Sequence, residues 1–238
     1  MGRAHEVRAA SMAKTAAAKT KVYSRYGKEI YMAAKSGVPD PSMNMTLKRV
    51  IEKARAAQVP ADVIKRNIEK AKGNNAEAYI ESRYEAFGPS GSTVIIECLS
   101  DNTNRALAEI RSCCNKSRCN LGQAGSVSFN YEQSGILQFK GTEDETLDIL
   151  LMADVNVKDI ESEDDTVTVY VDPKDLYSAK DALEAEKGEM EFTILELRML
   201  PNDYVTLEGD DKVLFQRLLD LLDDVDDVQQ VFHNVEGM

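Results

Sequence analysis

Lysine and arginine recur at intervals of about one helical turn in the first third of the chain, which places cations in rows along predicted helices. Side chains of this type bind phosphate groups, and the resulting affinity is salt-dependent and largely independent of base sequence. The candidate nucleic-acid-binding residues are Lys19, Lys21, Arg25, Lys28, Lys48, Arg49, Lys53, Arg55, Lys65 and Arg66. No predicted helix carries a recognisable set of base-reading side chains, so the pattern indicates phosphate contacts without specifying a target sequence.

Three apolar stripes position these cations. Each stripe has helical spacing, and its members are Val22, Tyr26 and Ile30, then Leu47, Val50, Ile51 and Ala54, then Val63, Ile64, Ile68 and Ala71. Turn sequences at 37–41 and 58–60 separate the stripes, Ser42 is the predicted cap of the second helix, and residues 73–75 end the third. We therefore expect a compact three-helix domain with its cations outside the core. Residues 1–20 fit either a helix or a segment that becomes ordered on binding.

Charge is divided unevenly along the 238 residues. Residues 1–74 hold 16 basic and 6 acidic side chains, a net charge of +10, whereas residues 75–238 hold 13 and 35, a net charge of −22. Such asymmetry indicates that the basic part contacts nucleic acid or a membrane surface, although Lys and Arg also populate ordinary solvated surfaces. No run approaches the ~18 consecutive apolar residues of a membrane span, so we do not expect a membrane protein.

Sequence signatures of an enzyme are absent. The chain has no G-x-x-x-x-G-K phosphate loop and no G-x-S-x-G nucleophile elbow. Its two histidines, His5 and His233, lie near the ends of the chain and far in sequence from every cysteine. We therefore predict no catalytic residue, no cofactor and no metal site. We interpret the four cysteines as buried thiols of a protein in the reducing cytoplasm.

After residue 80 the sequence alternates predicted strands and helices. Predicted strands at 136–139, 157–160, 167–171 and 192–197, with helices at 143–153 and 173–186, form a ferredoxin-like βαββαβ set. A second set is split around the first, with strands at 93–99, 126–131, 204–207 and 228–235 and helices at 103–117 and 210–222. Two independent tandem folds are the alternative arrangement.

The predicted fold class is therefore α+β and multidomain. An N-terminal three-helix domain occupies residues 1–76. One ferredoxin-like α+β domain is split between 77–134 and 199–238, and a second, at 135–198, is inserted into it.

Two further patterns have an ordinary structural interpretation. Phe129 and Tyr131 fall on one face of a predicted strand beside Glu132, which favours core packing over an RNA-stacking surface. The acidic runs at 161–165 and 223–227 lack the spacing of a calcium-binding loop. Because the second run continues an apolar-striped helix, we interpret it as a solvated helix end whose charge repels stray nucleic acid.

Several segments also match a known family. They are MGRAHEVRAA, YGKEIYMAAKSGVPDPSMN, VIEKARAAQVPADVIKRNIEKAKG, YEAFGPSGSTVIIECLSDNTNR, NLGQAGSVSF and DDVQQVFHNV. On these segments, which span nearly the whole chain in the family's order, the chain resembles the YebC-like family of bacterial and organellar proteins. The resemblance implies one helical domain and two α+β domains.

The resemblance further implies regulation of gene expression without catalysis. Some members are described as DNA-binding transcriptional regulators, and others resemble ribosome-associated translational activators that bind rRNA or tRNA and relieve stalling. The expected partner is DNA or, alternatively, ribosomal RNA on the ribosome. A basic helical domain fits both, since the two nucleic acids present the same phosphates. The family's usual description favours transcription, whereas the acidic remainder of the chain favours the ribosome.

Overall fold

The structure is a computed structural model that describes residues 3–73 and 78–238, with side chains from Lys19 onward in the first segment. Three helices open the described chain: α1 at Arg3–Lys35, α2 at Met45–Ala56 and α3 at Ala61–Lys72. The predicted N-terminal helical domain is confirmed, and α1 begins near the start of residues 1–20. The third helix was predicted to end at residues 73–75, and residues 74 and 75 lie outside the described residues. The predicted domain boundary after residue 76 lies outside them as well.

The apolar stripes of the three helices pack against one another. Ile30 and Tyr31 of α1, Leu47 and Ile51 of α2 and Ile64 of α3 are buried in one core. Burial of an aliphatic side chain of this size contributes about 1.5–3 kcal/mol, which is far more than helix propensity supplies at a position. The stripe therefore fixes which face of each helix turns away from the core and carries the cations.

Asn44, and not the predicted Ser42, caps α2. The buried Asn44 side chain accepts a hydrogen bond from the Leu47 N–H at 3.0 Å and donates to the carbonyls of Ala33 and Val38 at 2.8 and 3.0 Å. Ser42 instead donates to Asp40 in the preceding turn. An amide both donates and accepts, so Asn44 ties the end of α1 to the start of α2, which a serine hydroxyl cannot do as fully.

The rest of the described chain contains eight strands and four α-helices. They are β1 Ile80–Phe87, β2 Thr93–Ser100, α4 Thr103–Lys116, β3 Asn120–Leu121, β4 Tyr131–Lys140, α5 Glu143–Met152, β5 Val157–Glu163, β6 Thr166–Val171, α6 Leu176–Lys187, β7 Phe192–Pro201, α7 Gly209–Asp223 and β8 Val228–His233. They build two antiparallel four-stranded sheets, so the predicted α+β multidomain fold class is confirmed.

The first sheet has the strand order β3-β1-β2-β8, and α4 and α7 cover one of its faces. Val94 and Ile96 of β2 pack against Ile110 of α4 and Phe215 of α7, and all four side chains are buried. The four cysteines are also buried in this part of the molecule, and burial raises the pKa of Cys98 to about 12. The thiols are therefore protonated structural groups.

The second sheet has the strand order β5-β6-β4-β7, which is the order of a ferredoxin-like βαββαβ unit. Leu150 of α5 and Leu183 of α6 are buried against its strands, together with Leu137 and Val169. All four strands lie between β3 and β8 in sequence, and the chain then returns to the first sheet.

Two local predictions for the first sheet are wrong, and one of its strands was not predicted. Residues 126–130 are not a strand, because the backbone N–H groups of Gly125, Val127 and Ser128 donate to the buried Glu85 carboxylate at 2.9, 2.5 and 3.1 Å. Tyr131 is instead the first residue of β4. The predicted strand at 204–207 makes a single bridge, Val205 to Val235. β1 was not predicted at all, because its alternating charged residues resemble a surface segment.

The two sheets meet through a small apolar cluster. Ile95 and Val127 lie against Tyr131 and Met199, and the Tyr131 hydroxyl donates to the Thr93 carbonyl at 3.1 Å. Core packing was predicted for Phe129 as well, but that side chain is 79% exposed. A 3-10 turn at Ser128–Asn130 replaces the predicted strand and directs Phe129 outward.

Among the described residues, no helix combines the length and the hydrophobicity that a membrane span requires.

Candidate nucleic-acid interface

The α1 row, formed by Lys21, Arg25 and Lys28, faces the first α+β unit and not solvent. Arg25 Nη2 lies 2.9 Å from Asp223 Oδ1 and also donates to the Asp223 carbonyl at 3.2 Å. Lys21 pairs with Asp224 and lies 3.6 Å from Asp223 Oδ2. The hydrogen bond to Asp224 raises the pKa of Lys21. Two of the ten candidate residues are therefore held by carboxylates at the end of α7.

Lys28 makes the innermost contact of the α1 row. Its Nζ lies 2.8 Å from Asp227 Oδ1 and donates to the carbonyls of Asp226 and Leu99 at 2.9 and 3.2 Å. Its ammonium group thus has three acceptors, which is its full donor capacity. A phosphate contact by Lys28 would require the loss of at least one of these bonds.

Asp227 is the centre of this contact, and its side chain is only 2% exposed. Besides Lys28, the carboxylate accepts from Arg105 Nη2 and from Ser100 Oγ, each at 2.7 Å. Burial pushes the pKa of Asp227 upward, but the hydrogen bonds from Lys28, Arg105 and Ser100 outweigh it and hold the pKa below its ordinary value. A buried carboxylate with this many charge-assisted partners is ionised and fixed in place.

The acidic segment 223–227 was predicted to be a solvated helix end, and the structure corrects this. Asp223 and Asp224 are largely exposed, but each pairs with α1, and Asp227 is buried. Asp226 alone among these four aspartates has an exposed side chain with no partner among the described residues. Sequence offered only one signal for these contacts, the opposite charges of two segments that lie about 200 residues apart.

Two candidate residues of α2 also have partners inside the protein. The Arg49 guanidinium stacks over the Tyr177 ring of α6, with 3.8 Å from Cζ to the ring centroid. Lys53 is half-buried close to Glu29 of α1. Burial raises the pKa of Glu29, and the positive charge of Lys53 opposes that rise. Arg49 therefore contributes to the contact between the helical domain and α6, and the charge of Lys53 lies near that of Glu29.

The remaining five candidates form what we term the outer set: Lys19, Lys48, Arg55, Lys65 and Arg66. All five side chains are exposed, and none of them forms an ion pair with another residue in the part of the chain that the structure describes. Lys48 and Arg55 are seven positions apart on α2, so they share one face of the helix. Lys65 and Arg66 are adjacent on α3.

A groove of about 1210 Å³ runs beside the outer set between α2 and the second α+β unit. Lys48 and Arg55 line one wall, and the other is lined by Asp181, Glu189 and Glu191, which form no ion pair among the described residues. The phosphate backbone of a nucleic acid is attracted to the first wall and repelled by the second. This arrangement favours phosphate contacts on the outer surface of α2 and α3 over insertion into the groove.

Within the described residues, no group of three or more His, Cys, Asp or Glu residues could hold a metal ion. His233 packs edge-on against the Phe215 ring, and its Nδ1 accepts from the Val235 N–H at 3.3 Å. His233 is therefore a packed structural residue.

The fold and the interface together define a class of protein: a multidomain α+β protein with a basic helical domain docked on an acidic body. Two regions of the chain match one family. Residues 3–74 match the TACO1/YebC protein N-terminal domain, and residues 79–235 match the TACO1/YebC second and third domain. The chain belongs to the TACO1/YebC family, which confirms the resemblance seen in the sequence.

Relatives match the chain over nearly its full length. A "probable transcriptional regulatory protein" of Vibrio parahaemolyticus is 48% identical over 237 residues, which are 99% of this chain and 100% of that protein. Another of that description, from Acholeplasma laidlawii, is 49% identical and covers 99% of this chain and 98% of its own. The crystal structure of a conserved hypothetical protein from Aquifex aeolicus superposes with a TM-score of 0.77 at 29% identity, covering 91% of this chain and 90% of that chain.

The buried Asp227 contact makes stability depend on pH. Asp227→Asn should lower the free energy of unfolding at pH 7 by roughly 2–4 kcal/mol, because the cations of Lys28 and Arg105 lose their buried partner. The folded-state pKa of Asp227 is depressed, so its contribution is complete above about pH 4 and is lost as the pH falls through the folded value. Urea unfolding of wild type and variant between pH 3 and pH 7 measures this.

The matched control is Asp226→Asn, which removes the same charge from an exposed neighbour. The gap between wild type and Asp227→Asn should be constant from neutral pH to about pH 4 and shrink below it. A gap no larger than that of the control, or one that does not change with pH, contradicts the assignment.

Proposed function

We propose that this protein is a non-enzymatic, nucleic-acid-binding regulator of gene expression that acts in the cytoplasm as a DNA-binding transcriptional regulator. The observation that carries the proposal is the outer set. Four of its five members present exposed Lys and Arg side chains on α2 and α3, and none of the five has a carboxylate partner among the described residues. Cations left unpaired on a domain of net charge +10 are suited to phosphate groups, which Arg binds through two parallel hydrogen bonds.

The names of the relatives support the regulatory part of this proposal. Proteins about 48% identical over the full length carry the name "probable transcriptional regulatory protein". Binding of DNA itself rests on the outer set. The contacts expected from these residues are to phosphates, so they supply affinity and orientation and leave base recognition to DNA shape or to other residues.

A second candidate function is translational activation on the ribosome, through contacts with rRNA or tRNA. The acidic wall opposite α2 favours it, because Asp181, Glu189 and Glu191 oppose the approach of a nucleic acid that wraps around the domain. A protein with one basic face and an acidic body can bind a large phosphate-rich surface through the basic face alone.

The role of the outer set can be measured by salt dependence. Replacing Lys48, Arg55, Lys65 and Arg66 together with Gln should weaken binding to a DNA duplex and lower the slope of log K against log salt by about 0.9 for each lost phosphate contact. Fluorescence anisotropy titrations at several salt concentrations give both quantities.

The matched control replaces four exposed cations of the acidic body, Arg111, Lys174, Lys212 and Arg217, with Gln, so that the change in net charge is identical. Binding by the control should stay close to wild type. If both variants lose affinity and slope equally, net charge and not the outer set governs binding.

The choice between the two functions depends on what the protein binds in a cell extract. Transcriptional regulation predicts enrichment of discrete promoter fragments with the tagged protein and no co-sedimentation with ribosomes. Translational activation predicts the reverse, with co-sedimentation that fades at high salt. Ribosome association without promoter enrichment would rule out the first function and leave the second.

A further inference from the structure

The α1 row and the outer set belong to the same basic domain but differ in what they contact. Lys21 and Arg25 hold the carboxylates of Asp223 and Asp224, whereas the outer set has no acidic partner among the described residues. A carboxylate paired with Arg offers the same charge and the same type of acceptor as a phosphate oxygen. We propose that Lys21 and Arg25 are a second phosphate-binding surface, which Asp223 and Asp224 cover until nucleic acid displaces them. This inference rests on the proposed function.

The position of the two aspartates in α7 is an independent reason to read them as a cover. Asp223 is the last residue of α7 and Asp224 is its C-cap. Negative charge at a helix C-terminus is unfavourable, because the helix dipole is itself negative there. The aspartates therefore weaken their own helix, and the cations of α1 offset that cost. Their neutralisation to Asn should leave α7 intact.

The outer pairs of this contact are suited to exchange. The Asp223 and Asp224 side chains are 61% and 71% exposed. Ion pairs at such exposure contribute little to stability, because water and salt screen them. A phosphate backbone replaces the same interactions and also releases condensed counterions, so it competes favourably for Lys21 and Arg25.

The pair between Lys28 and Asp227 is buried and is not expected to exchange. Asp227 is buried and has two other partners, and Lys28 also binds two backbone carbonyls. Breaking the contact with Lys28 would remove a charged partner from a buried carboxylate, which costs more than breaking an exposed pair. Lys28 therefore stays docked, while Arg25 and Lys21, which lie about one and two turns toward the N-terminus, change partners.

The cover reduces the observed affinity, because nucleic acid must first displace it. Removing the cover by Asp223→Asn with Asp224→Asn should tighten binding by about threefold to tenfold, the range expected for two exposed ion pairs. The probes are a DNA duplex of random sequence and a structured RNA hairpin at the same salt concentration, which separate the two sources of phosphate. The control, Asp144→Asn with Asp148→Asn, removes the same charge from exposed residues of α5.

A second pair of variants tests where the gain arises. Lys21→Gln with Arg25→Gln should weaken the affinity of the wild type less than it weakens the affinity of the Asp223→Asn, Asp224→Asn variant, because in the wild type the gain from phosphate is offset by the ion pairs that are displaced. In the Asp223→Asn, Asp224→Asn background the same change should cancel the gain. Circular dichroism and the unfolding midpoint of each variant show that it is folded.

The possible results distinguish a failure of the proposed cover from a failure of the proposed function. Tighter binding than the α5 control on either probe, cancelled by the Lys21 and Arg25 replacements, supports the cover. Affinity equal to or weaker than that control overturns it, while the outer-set variants still report on the proposed function. If neither wild type nor the uncovered variant binds either probe, both proposals fail.

Discussion

The interaction on which the arrangement of the molecule depends is the buried carboxylate of Asp227. It joins Lys28 of α1, Arg105 of α4 and Ser100 of β2 at one point, so the helical domain and the first sheet share one charged centre. An ionised carboxylate cannot stay buried without these partners, and the partners cannot move far without exposing it. The position of α1 on the acidic body follows from this requirement. The weaker pairs of Lys21 and Arg25 with Asp224 and Asp223 extend the same contact toward solvent.

That docking divides the basic residues of the helical domain by their surroundings. Half of the ten candidates are engaged inside the protein, by aspartates, by the Tyr177 ring or close to Glu29. The side chains of the outer set are exposed, and none of them pairs with a carboxylate among the described residues. Net charge alone does not reveal this division, because a paired and an unpaired lysine count equally. The proposed function depends on the unpaired half, and the inference about Lys21 and Arg25 concerns the rest.

What could be predicted from the sequence was local and periodic. Leu47, Ile51 and Ile64 repeat with a helical period, so the helices of the first domain and their core faces followed from the pattern, as did the ferredoxin-like order of the second unit. The turn at 126–130 could not be predicted, because Glu85, the buried carboxylate that holds it, lies some 40 residues earlier in the chain. The partners of Lys21 and Arg25 were equally hidden, since they lie about 200 residues away and resemble an ordinary solvated run. Tertiary ion pairs leave no periodicity in a sequence.

The central claim is that the buried Asp227 contact fixes the helical domain on the acidic body. The most direct measurement is the distance distribution between spin labels on cysteines placed at Met43 and Arg217, which are exposed on the two parts, while the four native cysteines are buried. With Asp227 present we expect one narrow distribution, and with Asp227→Ala a broad one. A broad distribution in the wild-type background, or a narrow one that Asp227→Ala leaves unchanged, would contradict the account.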